Sequence, residues 1–169
     1  MGDPVLRVPA EDIPVEEIKS EEIQTLINDM LEAMNEHGGI GIAAPQIGIS
    51  KKIALIDLSC IAEEGDEDEG VLAIINPKLT VLDETLQGFW EGCLSVPGLR
   101  GFVERPRKLL IEYYDQDGEE KTLVAEDFLA TVFQHELDHL FATLYVDRIK
   151  DTKLLVFEET FGMQEQEEG

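Results

Sequence analysis

The sequence predicts an α+β fold, with mostly antiparallel sheets packed around a central helix. Three observations predict it. The hydrophobic period is helical after Ser20, strand-like from Lys52, and helical again from Ala125. The strand candidates follow one another through short turns, which suits antiparallel pairs rather than the long crossovers of a parallel sheet. The late helix is apolar over a broad face, as expected of a helix wrapped by a sheet.

In residues 20–35, Ile23, Leu26, Ile27, Met30, Leu31 and Met34 recur at the i, i+3, i+4, i+7 spacing of a buried helix face. Ser20 offers an N-cap, Glu21 and Glu22 suit the positive end of the helix, and Gly38-Gly39 stop it. Residues 52–57, 71–76, 78–82 and 108–114 read as strands, short and rich in Ile, Leu, Val and Tyr, with Pro, Gly and acidic punctuation between them. Asp117-Gly118 marks a hairpin turn between 108–115 and 121–124. Residues 125–141 read as the second helix, whose broad face of Phe128, Leu129, Val132, Phe133, Leu137 and Leu140 is broken only by Glu136. Glu126 and Asp127 would open it favourably. Residues 153–161 fit either a strand or a short helix.

The 169 residues fit one domain with a real core, and a composition of 43% hydrophobic and 30% charged residues is that of a globular chain. A net charge of -24 excludes a generic nucleic-acid grip and argues against docking on anionic lipid. No apolar run approaches the roughly 18 residues a membrane span needs. Met1-Gly2-Asp3-Pro4 carries no export or transit pattern, and two cysteines, Cys60 and Cys93, make no disulfide framework. A cytoplasmic location is expected, with Cys60 an inert free thiol. Residues 63–70 hold six acids in eight positions and read as a mobile surface loop; the acidic tail 162–169 is read as flexible in the same way.

Chemistry concentrates in three segments. His135-Glu136-Leu137-Asp138-His139 places two imidazoles one helical turn apart with a carboxylate between them, the pattern of a metal site with a candidate base. Catalytic sites of this kind use three protein ligands and keep one position open. No further His follows His139, and His37 sits at the end of the first helix, where a surface or capping role fits better. Cys93, in Glu91-Gly92-Cys93-Leu94-Ser95, can supply the third ligand. Gly39-Ile40-Gly41-Ile42-Ala43-Ala44-Pro45-Gln46 lacks the Lys-Ser/Thr of a phosphate loop. It fits a substrate-facing strand ending in an amide, or simply a buried strand.

Together, in this order and spacing, the three segments resemble the signature motifs of the peptide deformylase family, and the likeness runs from residue 2 to about 150. The resemblance implies a single catalytic domain over 1–169 whose central helix carries the His-Glu-x-x-His motif. It implies that Cys93, His135 and His139 bind one divalent metal: Fe²⁺ in the cell, with Zn²⁺, Ni²⁺ or Co²⁺ as occupants after purification. Glu136 would act as general base on the attacking water, then return the proton to the leaving amine. The Gln46 side-chain amide and the Leu94 N–H would stabilise the oxyanion. The substrates would be N-formyl-methionyl nascent chains, releasing formate. Gly41 and Ile40 would hydrogen-bond the peptide as an added strand, with Val132 in the methionine pocket. Glu91 and Asp138 would orient ligands, their alternative reading being satisfied carboxylates with no part in the site.

Four departures from the family pattern stand out. Ile42 replaces the usual Leu, and Ala142 replaces a Gly that commonly follows the helix motif, so the helix end is expected to shift. The acidic loop is long, and the acidic tail argues against docking on the ribosome through it. Two other readings compete. A metallopeptidase would share the helix motif but lacks its downstream ligand. A metal-stabilised module without activity would need a fourth protein ligand and has no use for Glu136.

Overall fold

The computed structural model describes residues 1–60 and 70–161, with the side chain of Cys60 excepted. The expectations for Cys60 as a thiol, for the acidic loop up to Glu69 and for the tail 162–169 lie outside the described residues. No helix of the described residues is long and apolar enough to cross a membrane.

Helix α1 (Glu21–His37) forms where the apolar stripe predicts it. The Ser20 hydroxyl accepts from the Ile23 N–H, Gly38 closes the helix in the left-handed region, and Ile23, Ile27, Met30 and Met34 are buried. The strands are β1 (Gly41–Ala43), β2 (Ile53–Asp57), β3 (Val71–Cys93), β4 (Val96–Tyr114), β5 (Glu120–Glu126) and β6 (Leu155–Phe157). Helix α2 spans Asp127–Asp138. All strands pair antiparallel in the order β1-β2-β3-β4-β5, and β6 adds to β4 off this path.

The predicted strands 71–76 and 78–82 are one strand, β3, which continues to Cys93. Pro77 cannot donate to the ladder, and the chain passes it through a register shift rather than a turn. Further shifts at Val81/Asp83, Asp83/Leu86 and Glu91/Cys93 interrupt the β3–β4 pairing. Bulges of this kind bend long strands, and here they carry the hairpin past α2. The predicted helix start at Ala125 also needs correcting. Ala125 and Glu126 pair with Leu109 and Lys108 at the end of β5, so ladder bonds claim them first. The helix tightens to a 3-10 turn at His139–Phe141, and Ala142 ends it with φ 61°, doing without glycine what glycine does more easily. Residues 153–161 prove to be mixed: the end of a 3-10 turn, then β6, then a helical segment at 158–161. The expected hairpin turn is present. Gly118 has φ 73° and the Asp115 carboxylate accepts from the N–H groups of Asp117 and Glu119.

Two cores flank the sheet. Ala43, Ala54, Ile56 and Ile74 face α2 through Phe133, Leu137 and Leu140. Ile42, Ile53, Leu55, Ala73 and Ile75 alternate with them and face α1. The run Ile53-Ala54-Leu55-Ile56 is therefore apolar throughout, because both of its faces are covered. α2 packs against β1, β2, β4 and β5, so the sheet wraps the helix that bears the histidines. A smaller core of Val96, Val103, Leu144 and Tyr145 backs Cys93.

Candidate metal centre

The histidines come from α2 and the turn that follows it; the cysteine comes from the end of β3. The i, i+4 spacing puts His135 and His139 on one face, with ring centroids 5.4 Å apart. The last bulge of β3 and the two-residue turn Leu94-Ser95 bring Cys93 over that face. One ligand atom from each of Cys93, His135 and His139 lies within 4.8 Å of the others. Cys93 Sγ is 3.5 Å from His139 Nε2. The donor set, one sulfur and two imidazoles, suits zinc or ferrous iron. Among the described residues no fourth protein donor joins the group. A cleft of about 440 Å³ opens over it instead.

A carboxylate sets the state of one ring and burial that of the other. His135 Nδ1 lies 2.8 Å from Glu91 Oε2, and an ionised carboxylate only accepts, so Nδ1 carries the proton and Nε2 is left to face the centre. Burial disfavours a charge on His135, but hydrogen bonds to Cys93 and Glu91 override it and push the ring up to about 10. A divalent cation held here would compete with that second proton. Burial, with the charges of His135 and Arg105, takes His139 down to about 3, so its ring is neutral and free to donate an electron pair. Its Nδ1 is buried and has no partner among the described residues.

Glu136 lies against β1, at the same cleft. A Cβ on Gly41 would meet its carboxyl carbon at 2.7 Å and Oε1 at 2.8 Å, so only glycine lets the carboxylate lie there. Oε2 is buried with no hydrogen-bond partner among the described residues, and burial pushes the group up to about 6. A carboxylate poised near neutral pH beside a metal-type donor set can take and return a proton.

Gln46 lies opposite. Its Oε1 accepts from the Ala43 N–H at 2.8 Å, which turns its amide Nε2 toward Ser95 Oγ at 3.2 Å and Cys93 Sγ at 3.5 Å. Leu94 lines the cleft from its turn. β1 is the edge of the sheet. Asp57 N–H donates to the Ile40 carbonyl, so that carbonyl is engaged within the sheet. By strand alternation Gly41 turns its own N–H and carbonyl to the open edge. Ile40 contributes its side chain to the walls of the cleft and of a smaller cavity of about 170 Å³, which Val132, Thr131, Phe128 and Trp90 also line. His37 stands at the rim with Nδ1 bonded to the Ala33 carbonyl.

Glu91 and Asp138 are both buried, and they meet through a residue that sequence reasoning missed. Arg105, 1% exposed, donates from Nε and Nη2 to Glu91 at 2.6 and 2.9 Å, and from Nη1 to Asp138 at 2.8 Å. Arg148 grips Asp138 from outside at 2.5 and 2.6 Å. Asp138 therefore braces the arginine that holds Glu91, and Glu91 alone touches a histidine. Burial raises the Glu91 carboxyl, but the bonds from Arg105 and His135 outweigh it and hold the group below its ordinary value. In the sequence Arg105 sits in a charged run, Glu104-Arg105-Pro106-Arg107-Lys108. The missed signal is local parity: Gly101 and Val103 are buried and Arg105 follows them at the strand period, before exposed Arg107 interrupts the pattern.

A sheet-wrapped helix bearing His-Glu-x-x-His, with a cysteine gathered beside its two histidines under an open cleft, is the arrangement of a metallohydrolase. The chain belongs to the polypeptide deformylase family, whose model matches residues 1–154. It is 44% identical over 161 residues to a peptide deformylase of Leptospira biflexa, covering 94% of this chain and 90% of that one. It is 43% identical over 153 residues to peptide deformylase 2 of Pseudomonas syringae, covering 89% and 85%. Among solved structures, a peptide deformylase from Synechococcus elongatus in complex with actinonin matches with TM-score 0.77 and 40% identity, over 89% of this chain and 76% of that one. A Met-Ala-Ser-bound class I type b peptide deformylase from Acinetobacter baumannii matches with TM-score 0.79 and 32% identity, over 88% and 94%.

Proposed function

We propose that Cys93, His135 and His139 hold one divalent metal ion and that Glu136 moves the proton as the enzyme removes the formyl group from N-formyl-methionyl nascent chains, releasing formate. The observation that carries this reading is the gathering of three ligand atoms within 4.8 Å beside the buried Glu136 carboxylate. When bound, the metal supplies Lewis acidity, which makes a water nucleophilic at neutral pH and polarises the formyl oxygen.

The protein does the rest. Glu136 takes a proton from the attacking water and delivers it to the departing amine. The Gln46 amide and the Leu94 N–H donate to the oxygen on which charge develops. Gly41 binds the peptide main chain as an added strand at the β1 edge, beside Ile40. The smaller cavity, with Val132 in its wall, takes the methionine side chain. Glu91 fixes the His135 tautomer, and Asp138 acts one step back through Arg105. We assign Fe²⁺ as the metal in the cell, with Zn²⁺, Ni²⁺ or Co²⁺ as substitutes in purified protein, and the cytoplasm as the compartment. The 169 residues act as one catalytic unit that needs neither nucleic acid nor membrane.

The test is formate release from a formyl-methionyl peptide by anaerobically Fe²⁺-loaded protein. Release should stop with chelator. Glu136→Gln should cut turnover about a hundred- to ten-thousandfold while the metal stays bound. New internal peptide termini in place of formate would mean a metallopeptidase. Full activity in Glu136→Gln would remove Glu136 as the base.

A further inference from the structure

The C-terminal strand brings a charge to the cleft that the mechanism leaves unused. β6 pairs with β4 in the register Leu99↔Phe157, Arg100↔Val156, Gly101↔Leu155. The chain then turns, and Phe161 packs against Trp90 with ring centroids 5.1 Å apart. Between these two anchors Glu158 reaches Arg100: its Oε1 accepts from Nη2 at 2.7 Å and from Nε at 3.1 Å. The guanidinium lies across Gly92, where a Cβ would meet Nη1 at 2.8 Å. Gly92 directly precedes Cys93. Arg100 borders both the cleft and the smaller cavity, and Glu158 lines the cleft.

We propose that Glu158 is a specificity-determining residue: paired with Arg100, whose guanidinium is the one bordering the cleft among the described residues, it cancels that charge and so keeps the enzyme indifferent to charge on the residues that follow the formyl-methionine. The inference rests on the deformylase reading of the site. The chemistry is local. Arg100 is a fixed cation that a peptide running out of the smaller cavity must pass. Alone, it would attract acidic side chains and repel basic ones. Glu158 is its counterion, and two anchors hold it there. The pair is half-exposed, so its influence is modest and screened by salt.

The experiment compares kcat/KM of the Fe²⁺-loaded enzyme on formyl-Met-X-Ala and formyl-Met-Ala-X, with X as Ala, Glu or Lys, at low and high ionic strength. Native protein should turn over the three at similar rates. Glu158→Gln should shift the Glu-to-Lys ratio toward Glu by about two- to fivefold. Arg100→Gln should move it the opposite way, and the swap Arg100→Glu with Glu158→Arg should restore indifference. High salt should flatten both shifts. Ratios that stay put in both single variants, with melting temperatures unchanged, overturn the proposal. A native protein that releases no formate from any of the peptides overturns the deformylase reading, and this proposal with it.

Discussion

At the scale of single residues, two side chains do more for the centre than their positions in the chain suggest. Arg105 is a buried cation between two buried carboxylates. Such a group adds little net stability when complete, because desolvation offsets the attraction, yet removing one member strands the others. Arg105→Met should therefore cost about 3–5 kcal/mol of stability and weaken metal binding about ten- to a hundredfold, read by denaturant titration and by competition with a chelator. Unchanged stability would mean that Glu91 and Asp138 reach water on their own. Gly41 works by its missing Cβ. Gly41→Ala forces the Glu136 carboxylate off its seat, where the contact would be under 3 Å. Turnover should fall at least about tenfold while metal content and folding are kept. A fall in metal content of the same size would place the damage at the ligands instead.

At the scale of elements, the site is a junction of three pieces that each end at it. β3 ends at Cys93, β1 runs into the 3-10 turn of Gln46, and α2 ends in the turn of His139. Ala142 in place of a glycine predicts a shifted end of α2. In the structure the chain keeps the glycine-like conformation and Ala142 bears the strain, at φ 61°. A left-handed non-glycine residue costs about 1–2 kcal/mol, part of which glycine returns as extra entropy of the unfolded chain. Ala142→Gly should raise stability by up to about 1 kcal/mol, a melting shift of about 2–4 °C. A lower melting temperature would mean that the methyl group has packing worth more than the strain. Pro77 splits the long bulged β3 into two apparent strands in the sequence, because periodicity along one strand cannot tell a bulge from a turn.

At the scale of the whole molecule, the chain carries a net charge of -24, and its fold rests on a sheet whose β2 strand is covered on both faces. Most of the ion pairs seen are exposed and contribute little each. Self-repulsion opposes the compact state and is screened by salt. The melting temperature should therefore rise between low and moderate NaCl. A fall over that range, measured by calorimetry, would show that attractive pairs dominate the surface.

Local pattern determined a good deal of this protein from sequence alone. The stripe of Ile23, Ile27, Met30 and Met34, the turn at Gly118 and the pairing of His135 with His139 depend on residues within a few positions of one another, where backbone geometry leaves little choice. The ordered trio of motifs carried the family likeness. Only the tertiary structure decided the rest. Cys93 meets His139 across 46 residues and Gln46 meets Cys93 across 47, and no periodicity reports a contact of that range. The burial of Arg105, the seat that Gly41 leaves for Glu136, and the arrival of Glu158 beside Arg100 are likewise products of strand pairing. A ladder brings distant residues together by hydrogen bonds between backbones that are chemically alike at every position. Its partner choice is therefore settled by what the whole sheet can bury.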